Sequence, residues 1–248
     1  MDVKENHQMS AEDERRHWWI RTRFFHLRRA AAQALVNFGS IQVLEVGCGT
    51  AQNLHYLRKD FRDSAKLPRL VGVEPALSDP SLRLSWMSQD DIIIRSIEEL
   101  KGQFDFLIAM DVLEHTDHGV TALRTWQKHL KPGGLIFITV PAFGFLWSNH
   151  DEFLGHKRRY TKQLLAEEAR QAGLEPIKLS YIFSYLLPVI FLVRRLLPRN
   201  PNSLKSDLIK PNLAMNALLT VIGKAESLFG GNPLFGTSIV GLFRKKTS

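Results

Sequence analysis

Short apolar runs recur along the chain, each closed by glycine, proline or an acidic residue. Residues 41–46 (IQVLEV) run into Gly47-Cys48-Gly49, and residues 70–74 (LVGVE) end on Glu74 before Pro75. FDFLIAM covers 104–110, and LIFITV covers 135–140 before Pro141. Short apolar runs bounded by turn formers are the pattern of strands buried on both faces, as in parallel sheets. IIIR (92–95), a segment near 175–181 and SIVGLF (238–243) read as further strands. Helical patterns lie between and around them. In 13–38, Trp18, Trp19, Phe24, Phe25, Leu27, Ala31 and Leu35 recur at helical spacing with arginines between them. Leu54 and Leu57 suit a helix, another covers about 118–130 until Pro132-Gly133-Gly134, and a third runs over 161–172 between Thr161 and Gly173. Strands alternating with helices predict an α/β fold with a doubly wound parallel sheet.

Residues 181–232 depart from this alternation. YIFSYLLPVIFLV is almost continuously apolar and is followed by Arg194-Arg195. It is too short to span a bilayer, which takes about 20 apolar residues, and Pro188 interrupts it. Two helices are expected here, about 183–197 and 212–229. They form either a buried cap over an apolar acceptor or, through 181–197, a peripheral membrane contact with the arginines at the headgroups.

The charge balance, +8 with a pI near 9.7, has two readings: a solubilising surface, or attraction to an anionic acceptor or membrane. No basic stripe interleaved with aromatics points to nucleic acid. Cys48 is the single cysteine, so there is no internal disulfide framework, in keeping with a reducing compartment. The charged N-terminus has no apolar core of a secretory signal. The expected location is cytoplasmic, or peripheral on the inner face of the membrane.

Chemistry concentrates at the strand ends. Gly47 and Gly49 allow a sharp turn and a close ligand approach beyond the first strand. Glu74, ending the second strand, is placed to accept hydrogen bonds from both hydroxyls of a ribose. The dinucleotide fingerprint G-x-G-x-x-G fails, because Gln52 stands at its third glycine. There is no P-loop lysine and no CxxC or HExxH spacing, so no metal site is expected.

The ordered series LEVGCGT, GVEP, FDFLIAMDVLEH and LKPGGLIFITVP resembles the motifs of class I methyltransferases that use S-adenosylmethionine (SAM), over residues 41–180. The resemblance implies a Rossmann-like, mostly parallel seven-stranded sheet with only a short connection before its last strand, where this chain instead places some fifty residues, the expected cap. It implies a cofactor site of Glu45, Gly47, Cys48, Gly49, Glu74, Pro75, Ser96, Ile97 and Asp111, with Glu45 and the glycines at the methionine and ribose end and Asp111 facing methionine or substrate. Two departures stand out. Ala51 replaces a third glycine, and Ser96 stands where an aspartate commonly meets the adenine. The implied division is a helical lid segment (1–38), a SAM-binding core (39–180), the cap or membrane-facing insertion (181–232) and a last strand with a basic tail (233–248).

The stretch 147–161 after the fifth strand is polar and dense in titratable groups, and is similar to an H-D…GH.RRYT segment of a bacterial subgroup acting in glycan, lipid or natural-product metabolism. The catalytic candidates are His150 and His156 as general bases, with Asp111. Arg158, Arg159 and Tyr160 are the candidates for binding an acceptor, anionic in the reading that uses the arginines. Each has a plainer reading as a loop anchor, and His115 reads as structural. The expected function is methyl transfer to a small-molecule, lipid or glycan-precursor acceptor. Two alternatives stay open: a protein or RNA methyltransferase, and a SAM-binding partner protein without activity.

Overall fold

The structure, a computed structural model, describes residues 11–61, 69–77, 79, 83–196 and 211–247. The Pro/Asn/Ser-rich stretch 198–203, Lys205 and Lys210, and the side chains of Arg194 and Arg195, lie outside the described set. The elements in order are α1 (Ala11–Arg16), α2 (Trp18–Phe38), β1 (Gln42–Val46), α3 (Gln52–Asp60), β2 (Arg69–Val73), β3 (Ile92–Ile94), β4 (Phe104–Met110), α4 (Gly119–Lys128), β5 (Leu130–Pro141), α5 (Asn149–Leu154), α6 (Lys162–Gln171), β6 (Leu174–Ile182), α7 (Leu187–Leu196), α8 (Leu213–Leu228) and β7 (Ser238–Lys245).

The strands form one seven-stranded sheet in the order β3-β2-β1-β4-β5-β7-β6, with β7 antiparallel to both neighbours and the other pairs parallel. This is the class I methyltransferase, Rossmann-like architecture that the motif order implied. Side chains alternate across the sheet with the period of two that strands impose. Val43, Phe106, Ile108 and Phe137 face the layer of α2 and α3, while Leu44, Leu107, Ile136 and Ile138 face Leu123 and Trp126 of α4 and Leu165 of α6.

Three departures from the sequence pattern have local causes. The helix expected over 13–38 is split at His17, whose extended backbone and Nδ1, 3.3 Å from the Trp19 amide, start α2 afresh. The Pro132-Gly133-Gly134 break is absorbed into β5, which starts at Leu130. Leu130 pairs with Phe104, and the register then shifts before Phe106 pairs with Leu135. Gly133 takes the left-handed conformation (φ 74°) that this irregularity demands. At the third-glycine position of the β1 turn, Ala51 adopts φ 58° and accepts the strain.

The two helices before β7 are fastened differently. On α8, Asn216 Oδ1 accepts from the Trp18 amide at 2.9 Å and its Nδ2 donates to Arg16 O at 2.8 Å. Glu226 accepts from the Phe183 and Ser184 amides (2.7 and 2.9 Å) and so closes the end of β6. Gly223 lets α8 pass close over α2, since a Cβ there would come within 2.0 Å of Thr22 Oγ1. Both helices also turn apolar side chains outward, Val189, Phe191 and Leu192 on α7 and Leu213, Leu218, Val221 and Leu228 on α8, each more than half exposed.

Gly223→Val should push α8 off α2 and destabilise the fold by about 1–3 kcal/mol, the usual cost of overpacking. Urea unfolding measures it. Stability equal to wild type would show that α8 does not bear on α2 as described.

Candidate active site

The sheet order reverses between β1 and β4: from β1 the chain continues to β2 on one side, and β4 lies on the other. Their C-terminal ends leave a crevice of the kind where ligands bind in open α/β sheets. The turn after β1 is held by the Gly47 and Cys48 amides, which both donate to Val73 O at 2.8 and 3.0 Å. Gly47 has φ 66°, and a Cβ there would come within 2.5 Å of Val112, so the glycine is required twice over. The Cys48 side chain is turned under Gly72, and burial pushes its thiol well up, so only its backbone can face a ligand.

Carboxylates collect around this turn. Glu74 is buried at the end of β2 and accepts from the Gly49 amide at 2.8 Å and the Ala76 amide at 3.0 Å. Glu45 is fully buried. One oxygen accepts from Asn53 Nδ2 at 2.7 Å and the other has no hydrogen-bond partner. Burial raises its pKa from 4.5 to about 7, against the opposing bond from Asn53. Asp111, just past β4, sits in the left-handed region (φ 54°) and accepts from Thr139 Oγ1 at 2.9 Å. Its second oxygen is 2.5 Å from Arg23 Nη1, an ion pair with the guanidinium only 5% exposed. Arg23 comes from α2 and stacks on Trp19 with its Cζ 4.0 Å from the ring centroid.

Ser96 and Ile97 start a turn after β3. Ser96 is engaged locally, its amide donating to Glu99 Oε1 at 2.8 Å and its hydroxyl bonded to Glu98, while Ile97 packs on the core. Pro75 is exposed beside Glu74.

The polar stretch after β5 is organised around Asp151, which is fully buried. Burial pushes its carboxyl up, but hydrogen bonds from His156 and Arg159 outweigh this and hold it well below the ordinary carboxylate range. His156 Nδ1 is 2.9 Å from Asp151 Oδ1, and Arg159 makes a fork to both oxygens at 2.7 and 2.9 Å. Arg159 also donates to Ala142 O at 3.0 Å. Arg158 donates to Thr116 O at 3.0 Å and to Asp117 O, and lies 3.5 Å from Glu168. Tyr160 is fully buried with its hydroxyl 3.3 Å from Glu168 Oε2. Of the three residues expected to bind an acceptor, Arg159 is engaged by Asp151, Tyr160 is fully buried against Glu168, and Arg158, bonded to the Thr116 and Asp117 carbonyls, keeps a partly exposed side chain. His150 and His156 do come together, with ring centroids 6.4 Å apart.

The sequence pattern assigns no role to Glu114 or Asp151, and Arg23 enters it only beside His17-Trp18-Trp19, in a segment similar to one near the N-terminus of the bacterial subgroup. The signal for Arg23 was its four-residue step from Trp19 on one helix. Glu114, inside LEH, is fully buried, and neither carboxylate oxygen has a hydrogen-bond partner. Burial first, and the Asp111 charge second, hold its carboxyl well above the ordinary range.

A seven-stranded sheet of this order, with a glycine turn and acidic strand ends at its reversal, defines a class I methyltransferase fold. A family profile described as a methyltransferase domain matches residues 16–179, and the chain belongs to this family, whose class I members take their methyl group from SAM. The chain is 33% identical over 116 residues to a trans-aconitate 2-methyltransferase of Deinococcus radiodurans, covering 44% of this chain and 39% of that protein. It is 27% identical over 119 residues to a ubiquinone biosynthesis O-methyltransferase of Xanthomonas oryzae pv. oryzae, covering 43% and 45%. The chain thus spans less than half the length of the curated relatives it matches. A solved complex of the Haloferax volcanii Trm112 methyltransferase activator with a methyltransferase matches at TM-score 0.57 and 15% identity, covering 99% of each chain.

The residues fit the cofactor. The crevice offers a buried Glu45 oxygen without a partner, an Asp111 balanced by one guanidinium, and a turn that a Cβ would obstruct. SAM carries net positive charge, which suits a site whose unpartnered groups are carboxyl oxygens.

Glu45 titrates with a sign that can be checked. Its folded pKa, about 7, is raised above 4.5, so the folded state holds the proton more tightly. Its contribution is intact below pH 4.5 and lost as pH rises through about 7, by roughly 3 kcal/mol at most. Glu45→Gln, which keeps the acceptor for Asn53, should therefore raise Tm relative to wild type more at pH 8 than at pH 5. Thermal unfolding at the two pH values decides it, and an equal difference at both would remove Glu45 as a titrating buried acid.

Proposed function

We propose that the protein transfers the methyl group of SAM to a small-molecule acceptor of lipid or glycan-precursor type. The observation that carries this reading is the convergence of Glu45, Glu74, Asp111 and the Gly47–Gly49 turn at the sheet reversal. When bound, SAM supplies a methyl carbon made electrophilic by its sulfonium. Glu74 would hold the ribose hydroxyls, and Glu45 with the turn amides the methionine and ribose end. Asp111, fixed by Arg23 and Thr139, would orient what binds beside it. Alignment of acceptor and methyl group can supply much of the catalysis, so rigid placement of these groups matters more than a strong base. Of the two histidines expected to take a proton, His156 is the one whose ring a buried carboxylate fixes.

The curated relatives' names, a trans-aconitate methyltransferase and a ubiquinone-biosynthesis O-methyltransferase, favour small organic acceptors. An apolar acceptor is favoured by an aromatic row. Phe143 stacks on Tyr181 and on Phe145, and Phe145 meets Phe191 of α7 edge-on, with centroids 4.8, 5.1 and 6.1 Å apart. The outward Val189, Phe191 and Leu192 add a second reading, that α7 rests on a membrane from the cytoplasmic side to reach such acceptors. No helix among the described residues is long and apolar enough to cross a membrane.

Calorimetry should show SAM binding, weakened in Glu74→Ala by about 1–3 kcal/mol, the cost of leaving buried polar partners unsatisfied. No binding at millimolar SAM overturns the reading, and unchanged affinity in Glu74→Ala removes that residue from the cofactor. Liposome sedimentation tests the second reading. Binding that grows with anionic lipid and falls when Phe191 and Leu192 become polar supports it, and protein that stays in solution refutes it.

A further inference from the structure

Past β4, three side chains with metal-ligating atoms converge. Glu114 and His115 lie on the short turn Leu113–His115, and His156 lies between α5 and α6. One ligand atom from each lies within 4.8 Å of the other two. We infer that these three residues bind a divalent first-row transition-metal ion, through the Glu114 carboxylate and one ring nitrogen of each histidine.

Two independent observations point to a cation. The first is Glu114 itself. Its carboxylate is fully buried and neither oxygen has a hydrogen-bond partner. A carboxyl taken out of water with neither oxygen hydrogen-bonded either keeps its proton or meets a cation, and a metal ion here would supply the missing partner. The second is the orientation of His156. Asp151 holds Nδ1 at 2.9 Å, which leaves Nε2 directed toward Glu114 Oε1, 4.0 Å away. A carboxylate behind a histidine, fixing its tautomer and ring, is the usual support of a metal-bound imidazole. Asp151 is fixed in turn by the Arg159 fork, and the Lys157 amide donates to Glu114 O at 2.8 Å, pinning the two ligand-bearing segments together. The same orientation of His156 would serve a proton acceptor, but that role leaves the bare Glu114 carboxylate without a reason.

The dimensions are close to those required. Metal bonds of about 2.0–2.2 Å at tetrahedral angles place ligand atoms about 3.3–3.6 Å apart, so closure from the observed limit of 4.8 Å needs side-chain movements of about an ångström. The His115 and His156 rings already meet edge to face at 4.8 Å between centroids. Two imidazoles and one carboxylate select zinc, iron(II) or cobalt over magnesium or calcium. Three protein ligands leave at least one position for an outside oxygen, the hallmark of a working metal site as opposed to a closed structural one.

The test uses the full chain freed of metal by a chelator. Zn²⁺ alone is titrated by calorimetry, and Co²⁺ alone is followed by visible absorption. One ion per chain is expected, with affinity at least about tenfold lower in His156→Ala and in Glu114→Gln. Should Glu114→Gln fail to fold, His115→Ala, on a partly exposed ring, supplies the second variant. No saturable binding at millimolar metal overturns the inference. So does equal affinity in wild type, His115→Ala and His156→Ala, which would place the ion on other histidines of the nine in the chain. The titration needs neither SAM nor acceptor, so its outcome is separate from that of the methyl-transfer reading.

Discussion

The fold is organised around a charge imbalance at the reversal of the sheet. Glu45 and Glu114 are buried and Asp111 is half-buried at the ends of β1 and β4, and one buried guanidinium, Arg23, stands against Asp111. Removing one member of a buried pair leaves the other unpaired at a cost of about 3–5 kcal/mol, so α2 cannot leave without exposing the defect. Other contacts secure α2 in turn. Trp19 lies under the guanidinium, Phe183 stacks on Trp19, and Asn216 of α8 bonds the start of the helix. The segment before β7 is therefore tied to the crevice through α2 and is no ornament on the core.

The same imbalance decides what the crevice accepts. A glycine turn at a helix start is common to many nucleotide sites, and alone does not separate them. Here the helix after the turn begins at Ala51 and Gln52, the third glycine is absent, and the walls are carboxylates. A ligand bearing positive charge relieves that wall.

Whatever depends on short-range pattern could be read from the sequence. The strands, the glycine turn, Glu74 and Asp111 all sit at the ends of apolar runs, where periodicity and turn residues mark them. Pairings between distant segments were not legible. Arg23 follows Trp19 by one helical step, but nothing in that spacing tells that it reaches Asp111. His115 reads as a motif terminus until His156, far along the chain, is brought against it. Arg158, Arg159 and Tyr160 show how much of a polar stretch the fold itself engages. A dense polar stretch resembles a binding loop, and only the fold shows that Asp151, Glu168 and backbone carbonyls already satisfy it. The complementary signs within the stretch, Asp151 before two arginines, were the available clue.

Backbone strain marks the working edge independently of any motif. Among the described residues, the non-glycine positions with positive φ are Ala51, Asp111, Phe143 and Phe183. They follow β1, β4, β5 and β6, and these four strands run in the same direction, because β7 is antiparallel to both β5 and β6. All four strained residues therefore lie on one edge of the sheet, the edge where open α/β sheets bind ligands. Such conformations cost of order 1–3 kcal/mol each and persist only where the surroundings over-determine them. Asp111 is held by Arg23 and Thr139, and Phe143 by the Tyr160 carbonyl and by stacking on Tyr181. Phe183 is held by Glu226 and the paired tryptophans. The opposite edge has no such residue among those described. A chain that concentrates its strain on one edge, and braces it from α2, α8 and the polar loop together, has a shape to maintain there that folding alone does not require.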